Sequence, residues 1–273
     1  RGSSAGVFIQ DEWRFDPRWL VNLGVRADRM GAFDAVSPRA ALIHRPAPAT
    51  ALKLIYGQAF RPPNAYEHYY NDGNVSQKAN PDLKLERITT HEFVVDHAVT
   101  PALRLSGSYY HYRIDDLIEQ ITDTADDLQM FVNRPTIHAH GVEVEVEAVF
   151  AGGLHGKGSI ARQTVKQPFG PAVNSPRLLG KLMIDGPLFA TGWTLGLDLH
   201  AMEKRRATTG EVPGHVAGNL MLRRKGSPSF GNLSVGIYNL SGHRYLDPAS
   251  SAVGRGAVLQ DGRQLRLGWE LSF

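Results

Sequence analysis

The sequence has 273 residues, no Cys, and 30 Lys and Arg against 27 Asp and Glu, which gives a formal net charge of +3. The lack of Cys excludes a disulfide scaffold and a thiolate metal site, and a hydrophobic fraction of 42% excludes a disordered chain. Charges of both signs are interspersed, which indicates no nucleic-acid partner. Without a run of about 18 apolar residues, we expect no membrane-spanning helix. The first residues lack a Met and a signal-peptide core, so we expect a chain that begins inside a longer protein.

Hydrophobic and polar residues alternate along most of the chain, and a period of two is typical of a β-strand. For example, Val142, Val144 and Val146 alternate with three glutamates. Turn signals rich in Gly and Pro separate such segments, and the pattern predicts an all-β chain of about 13 antiparallel strands. The predicted strands span 7–15, 19–30, 38–46, 51–60, 87–99, 103–121, 129–150, 154–165, 175–185, 192–202, 213–225, 229–241 and 259–273.

The connections between these predicted strands alternate in length. In bacterial outer-membrane barrels, short turns face the periplasm and long loops face outside, so the alternation favours such a barrel. We therefore expect a Cys placed at Asn74 or Ser251 to be accessible from outside the cell, and one at Gly153 to be inaccessible. The short connections are 16–18, 46–50, 100–102, 151–153, 186–191 and 226–228, and the long ones are 31–37, 61–86, 122–128, 166–174, 203–212 and 242–258.

A soluble β-sandwich is the alternative, because its strands also alternate. Three features favour the barrel instead. The like charges of Glu143, Glu145 and Glu147 suit a wet interior, with the valines between them facing lipid. The predicted strands at 103–121 and 129–150 are longer than the usual 3–10 residues. Aromatic residues also cluster at strand ends, as interfacial girdles do.

Several segments resemble the C-terminal barrel region of TonB-dependent outer-membrane receptors. The stretch from Tyr56 to Asn64 is similar to a strand that ends in a Phe-Arg-x-Pro turn in this family. The stretch from Asn80 to Arg87 is similar to its Asn-Pro-x-Leu-Lys-Pro-Glu segment, with Leu85 in place of the usual Pro. Further similarities are the segments 110–118 and 141–145, Asn133, Tyr238-Asn239-Leu240, Tyr245, Gly262-Arg263 and the terminal Phe273.

The resemblance implies a transmembrane β-barrel of about 22 strands around a plug. Residues 1–273 would then be its C-terminal portion, a partial barrel of about 13 strands with two open edges and no plug domain. It also implies the outer membrane of a Gram-negative bacterium, no cofactor and no enzymatic activity. The implied partners are outer-membrane lipid, an extracellular small molecule, the barrel assembly machinery, and TonB through the missing N-terminal region.

The implied function is energised uptake of a bulky scarce nutrient, with a ferric siderophore expected first. Cobalamin, haem and carbohydrate remain open as ligands within the same family. In a different class, an outer-membrane barrel enzyme or a passive porin remains open. Against an enzyme, the sequence lacks the Gly-x-Ser-x-Gly, P-loop and His-Glu-x-x-His motifs.

The long connection 61–86 is the candidate ligand-binding loop. Its aromatic and cationic side chains suit a bulky anionic ligand, such as a ferric siderophore, through stacking and charge. The alternative is a loop that packs only on its neighbours. The candidate residues are Arg61, Tyr66, His68, Tyr69 and Tyr70, and Lys78 lies in the same loop.

Two sets of residues could bind a metal ion, and for both we favour ordinary polar surface. His138 and His140 share one strand face but lack an evident third ligand, so we expect them to face the lumen as polar side chains. Asp115, Asp116 and the acidic segment 123–127 lack the order of ligands and the Gly of an EF-hand.

The last predicted strand ends in an alternating series that resembles the signal recognised by the outer-membrane insertion machinery. An edge strand with an apolar face and free backbone groups can pair with another sheet edge. The residues of this predicted assembly signal are Leu267, Trp269, Leu271 and Phe273.

Overall fold

The computed structural model describes residues 3–188, 192–226, 230–249 and 255–271. Ser251 and Phe273, which carry two of the predictions above, lie outside these ranges. Apart from one helix and one 3₁₀ turn at Ala151–Gly153, the regular elements of the described part are β-strands. They are β1 (Ser4–Asp16), β2 (Trp19–Met30), β3 (Phe33–Ala47), β4 (Thr50–Arg61), α1 (Ala65–Tyr69), β5 (Glu86–Thr100), β6 (Leu103–Asp115), β7 (Ile118–Thr122), β8 (Gln129–Asn133), β9 (Ile137–Val149), β10 (His155–Lys166), β11 (Leu178–Leu188), β12 (Trp193–Met202), β13 (Arg205–Arg206), β14 (Glu211–Val212), β15 (His215–Arg224), β16 (Asn232–Tyr238), β17 (Leu246–Pro248), β18 (Ala257–Leu259) and β19 (Gln264–Glu270).

Within the described ranges, thirteen strands form one antiparallel sheet, which confirms the predicted fold class. Their order is β1-β2-β3-β4-β5-β6-β9-β10-β11-β12-β15-β16-β19, so each strand pairs with the next sheet strand along the chain. In this up-and-down order, the described turns after β1, β3, β5 and β9 lie at one end of the sheet, and the β2–β3 turn and the longer connections lie at the other. The candidate ligand-binding loop is one of the longer connections.

The other six strands form three small hairpins inside long connections, and the sequence pattern missed them. The predicted strand 103–121 is divided at Asp116, whose φ of +56° turns the chain out of the main sheet. The predicted strand 129–150 is likewise divided into β8 and β9. The amide Nδ2 of Asn133 donates a hydrogen bond of 2.8 Å to the carbonyl of Asp116, which fixes the base of the β7–β8 hairpin. Similarly, the strand predicted at 259–273 is shorter because residues 257–259 pair with β17.

The connection predicted at 31–37 is wrong, because a two-residue turn joins β2 to β3. Gly31 adopts a φ of +60°, which glycine tolerates without steric cost, and Met30 already pairs with Phe33. The segment contains Gly31, Asp34 and Ser37, residue types that are common in turns. The continuous pairing with β2 overrides those local preferences.

The two faces of β9 differ as the alternation predicts. Val142 and Val144 are 49% and 54% exposed on one face. On the other face, Glu145 accepts from Lys157 at 2.9 Å, and Glu147 lies 3.2 Å from His155. Because His138 and His140 stand at even positions of the same strand, the alternation places them on the face of the valines. This placement differs from the expectation that both histidines lie with the glutamates on the face toward the lumen.

The contacts divide the chain into two units. The first comprises Arg1–Val95, Tyr109–His140 and Val165–Gly170, and the second comprises Asp96–Ser108, Gly141–Thr164 and Pro171–Phe273. Among the described residues, no helix is long and apolar enough to cross a membrane.

Candidate functional site

The candidate ligand-binding loop connects β4 to β5 in the first unit, and it contains helix α1, which the sequence analysis missed. The helix begins after two prolines, where Asn64 and Glu67 form a capping box. The side chain of Asn64 accepts from the Glu67 amide at 2.9 Å, and Glu67 accepts from the Asn64 amide at 2.8 Å. A helix of five residues is too short to show a helical period in the sequence.

Arg61 binds two carboxylates and thereby fixes α1 to the strands beside it. Its Nη1 lies 2.8 Å from Glu67, and its Nε donates to Glu86. The other oxygen of Glu86 accepts from the amide of Ile118 at 2.6 Å, so the carboxylate that binds Arg61 also holds the start of the β7–β8 hairpin. Hydrogen bonds to Glu86 and then Glu67 raise the pKa of Arg61 above its ordinary value. The charge of Arg61 is therefore balanced within the protein.

His68 is a packing residue of the loop, with 8% of its surface exposed. Its Nε2 lies 2.7 Å from the carbonyl of Pro81, and since a carbonyl only accepts, this nitrogen carries a proton. The imidazole also contacts the rings of Phe33 and Tyr69, at centroid distances of 5.9 and 4.2 Å. This position connects α1 to the returning part of the loop.

Three tyrosines of α1 and its C-terminal end form an exposed aromatic surface, which we call the tyrosine ledge (Tyr66, Tyr69 and Tyr70). They are 51%, 67% and 43% exposed, respectively. Tyr66 and Tyr70 stack with their centroids 4.6 Å apart, as expected for residues four apart on a helix. The hydroxyl of Tyr66 donates to Gln77 Oε1 at 3.0 Å, so the ledge is also attached to the far side of the loop.

The rest of the loop lies along β8 and is held there by backbone hydrogen bonds. The amide of Lys78 donates to the carbonyl of Gln129 at 2.9 Å, and the amide of Gln129 donates to the carbonyl of Ser76 at 2.9 Å. Further along, the side chain of Asn80 donates to the carbonyl of Phe131 at 2.8 Å. The ledge therefore stands on a braced loop.

Lys78 occupies the acidic segment that we considered as a cation site. Its Nζ lies 2.6 Å from Asp123 and 2.8 Å from Asp126. Hydrogen bonds to these carboxylates raise the pKa of Lys78, and the bond from Lys78 lowers the pKa of Asp123. Within the described ranges, no group of three or more His, Cys, Asp or Glu side chains could hold a metal ion.

The tip of the loop is closed by Asp72. Its carboxylate accepts from the amides of Val75, Ser76 and Gln77 at 2.9 to 3.1 Å, and from the Ser76 hydroxyl at 2.5 Å. These hydrogen bonds, led by the Ser76 hydroxyl, lower the pKa of Asp72 to about 2.

The second unit contains a buried polar cluster that the sequence analysis did not single out. Arg205 is 5% exposed, and its guanidinium lies 2.6 Å from Asp247 and 3.0 Å from Asn174 Oδ1. It thus joins three long connections, those after β10, β12 and β16. The ring of His215 stacks on Tyr245 at 3.8 Å nearby in the same unit. In the sequence, Arg205 stands among other basic residues, and nothing there marks it as buried.

The three described residues of the predicted assembly signal share one face of the C-terminal segment. Leu267, Trp269 and Leu271 are 75%, 66% and 40% exposed. The indole of Trp269 donates to the carbonyl of Phe230 at 2.7 Å, which holds the ring at the turn before β16. Their role in assembly stays a prediction, and Phe273 lies outside the described part.

Comparisons with known proteins give one family and one fold. The family model described as "TonB dependent receptor-like, beta-barrel" matches residues 1–240. No curated protein matches the sequence significantly.

Several solved structures share the fold over nearly the whole chain. They include the siderophore receptor PirA from Acinetobacter baumannii (15% identity, TM-score 0.79) and the FrpB iron transporter from Neisseria meningitidis (16%, 0.76). The copper transporter OprC is similar as well (17%, 0.76). The match covers 97% of this chain in each case, and 45%, 44% and 47% of those chains, respectively. The chain therefore spans less than half the length of these structures, and the low identity shows the fold alone.

Proposed function

We propose an uptake function for this chain, which belongs to the TonB-dependent receptor family. It forms part of the barrel of an outer-membrane receptor in a Gram-negative bacterium, and its long connections face outside the cell. The receptor binds a bulky extracellular nutrient and is energised by TonB through a region outside this chain. The names of the similar structures, which are receptors and transporters, support transport rather than catalysis.

The tyrosine ledge is the observation that carries the proposal for the ligand. Half-exposed aromatic rings on a braced loop offer flat apolar faces to a ligand at little entropic cost, since the loop is already ordered. Arg61 and Lys78 each bind two carboxylates, so the ledge offers rings rather than free positive charge. We therefore propose a ferric chelate that carries planar aromatic groups and stacks on Tyr66, Tyr69 and Tyr70.

This proposal changes the roles of the five candidate residues. Arg61 and His68 position the loop, and the three tyrosines contact the ligand. A copper transporter also shares the fold, so the fold does not determine which metal the ligand carries. The proposed stacking contact does not depend on that metal.

The test is a binding and growth experiment with the full-length receptor. Tyr69→Ala should weaken binding of an aromatic ferric chelate by about twofold to tenfold, which corresponds to the free energy of one aromatic stacking contact. Tyr69→Phe keeps the ring and should leave binding unchanged. Quenching of the receptor's intrinsic fluorescence by the chelate measures the affinity.

Growth of a receptor-deletion strain identifies the ligand class. The wild-type gene should restore growth on aromatic ferric chelates, and only in cells with functional TonB. Rescue by cobalamin, haem or a carbohydrate, with none by ferric chelates, would show that the ligand class is wrong. Equal affinities of Tyr69→Ala, Tyr69→Phe and the wild type would show that the ledge does not contact the ligand.

A further inference from the structure

The buried guanidinium of Arg205 holds three long connections of the second unit together. Besides its contacts with Asp247 and Asn174, its Nη2 donates to the carbonyl of Leu246 at 3.3 Å. The amide of Asn174 also donates to the carbonyl of Arg206 at 2.9 Å. We call Asn174, Arg205 and Asp247 the loop latch. A change in the surroundings of Arg205 therefore acts on the connections after β10, β12 and β16 at the same time.

The apolar support of the loop latch is small. Among the described residues of these three connections, the buried apolar side chains are those of Ala207, Val212 and Ala249, at 6%, 1% and 8% exposure. Two of the three are alanines, whose burial removes little apolar surface from water. The polar contacts of Arg205 therefore contribute a large part of what keeps the connections together.

His215 lies next to the loop latch, at the loop end of β15, and is 8% exposed. Its ring stacks on Tyr245 with the centroids 3.8 Å apart and the planes 13° apart. Tyr245 precedes Asp247 by two residues, so the imidazole contacts the same connection that supplies the carboxylate of the latch. On its other side, the ring of His200 approaches edge-on at 5.8 Å.

The surroundings of His215 suit a neutral imidazole and offer no compensation for a charged one. Its Nδ1 is buried and has no hydrogen-bond partner among the described residues. The only acid of the groups that face it is already bound to Arg205 at 2.6 Å. Histidines gain positive charge as the pH falls, so the facing histidines do not compensate either. The titratable and charged groups that face His215 are Arg205, Asp247, His200, His243 and Tyr245.

We propose that the loop latch opens when the medium outside the cell becomes acidic, and that His215 takes up the proton. In the closed latch, a charged imidazole would be buried beside a guanidinium, and burial and like charge both disfavour the charged form. In the open latch, water solvates the imidazolium. Protons therefore bind the open form more tightly than the closed form, and a fall in pH favours opening.

The pH window follows from the chemistry of imidazole. A solvated imidazole becomes charged below about pH 6.5, so opening begins below that pH. Uptake of one proton changes the ratio of open to closed forms by at most about tenfold per pH unit. The proposal takes from the proposed function only that the long connections face outside. The latch acts on these connections whatever ligand the receptor binds.

The test measures a distance between two of the connections in the full-length receptor. Val173 and Val258 are 47% and 42% exposed and lie in the connections after β10 and β16. Each is replaced by Cys and spin-labelled, and residues 1–273 contain no Cys of their own. Pulsed electron paramagnetic resonance in detergent micelles is recorded at about pH 7.5 and about pH 5, on either side of the ordinary titration range of imidazole. The distance should lengthen and its distribution broaden in acid, and both changes should reverse when the pH is restored.

Variants of His215 separate its protonation from its packing. His215→Phe keeps a ring against Tyr245 but takes up no proton, and His215→Gln keeps a polar side chain. Both should retain the short distance at both pH values. His155→Gln is the matched control, since His155 belongs to the same unit but starts β10 at the short-turn end, and it should behave as the wild type. Arg205→Gln should give the long distance at both pH values.

Each outcome decides the proposal. Equal distances at both pH values in the wild type would overturn it, and this measurement is decisive even where a variant fails to fold. Acid opening that persists in both His215 variants would also overturn it. Loss of the response in His200→Gln or His243→Gln, with the His215 variants still responding, would assign the proton to that histidine instead. The distances are measured without a ligand, so a failed test of ligand binding leaves this result unaffected.

Discussion

Replacing Val144 by Arg tests whether the valine face of β9 meets lipid. Val144 is the eighth of thirteen residues in β9 and is 54% exposed. At about 3.4 Å per residue, it lies about 24 Å from the loop end and about 17 Å from the turn end. A tilt of about 45° reduces these distances to about 17 and 12 Å, which places Val144 near the middle of an apolar band about 25 Å tall.

At that depth, Val144→Arg should lower the free energy of unfolding of the full-length receptor by about 2–4 kcal/mol. This corresponds to a factor of about 30 to 800 in the folding equilibrium. The matched control is Glu145→Arg, one residue away on the opposite face. It removes the ion pair with Lys157, which is partly exposed and solvent-screened, so we expect only a small loss of stability.

The assay is chemical unfolding of the receptor refolded into lipid vesicles, followed by tryptophan fluorescence. A larger loss for Val144→Arg than for Glu145→Arg is the expected result. If both variants lose the same free energy, the assignment of the two faces to lipid and lumen is wrong. If Glu145→Arg loses more, the faces are reversed.

Three other predictions concern the loop, its pH dependence and the C-terminus. A Cys at Val75, which is 80% exposed, should react with an impermeant maleimide on intact cells, and one at Ala151 in a short turn should not; the reverse pattern would invert the topology. Because the folded-state pKa of Asp72 is lowered to about 2, its contribution to loop stability is complete above about pH 4 and is lost as the pH falls toward 2. Hydrogen exchange of the Ser76 amide should accelerate in that window relative to other loop amides, and an unchanged ratio would contradict the assignment. Deleting Phe273 should reduce the outer-membrane fraction of the full-length receptor in heat-modifiable gels, and a normal yield would leave the assembly signal unsupported.

The labelling sites illustrate what backbone geometry adds to a sequence-based choice. Asn74 and Gly153 were the positions that the loop pattern suggested. Both have a positive φ, +59° and +82°, which a Cys side chain tolerates poorly. Val75 follows Asn74, and Ala151 lies two residues before Gly153. Neither has a positive φ, so a Cys at these positions reports accessibility without added backbone strain.

The sheet was predictable because its signal is repeated and local. Alternation along β9 gives its two faces directly, and the sheet order follows the chain, so no long-range information was needed. The errors occur where pairing partners decide the structure. The segment after Gly31 has turn-forming residues but pairs with β2, and the stretch around Asp116 alternates like a strand but leaves the sheet.

The candidate site was less predictable, because a sequence shows which charges are present but not what they bind. Arg61 pairs with Glu86 25 residues away, Lys78 with Asp126 48 residues away, and Arg205 with Asp247 42 residues away. In each case a basic residue of a long connection is balanced by a carboxylate from another part of its own unit. The expectation of an anionic ligand rested on Arg61 and Lys78 being free. Since both are balanced, stacking on the tyrosines is the interaction that the loop still offers to a ligand.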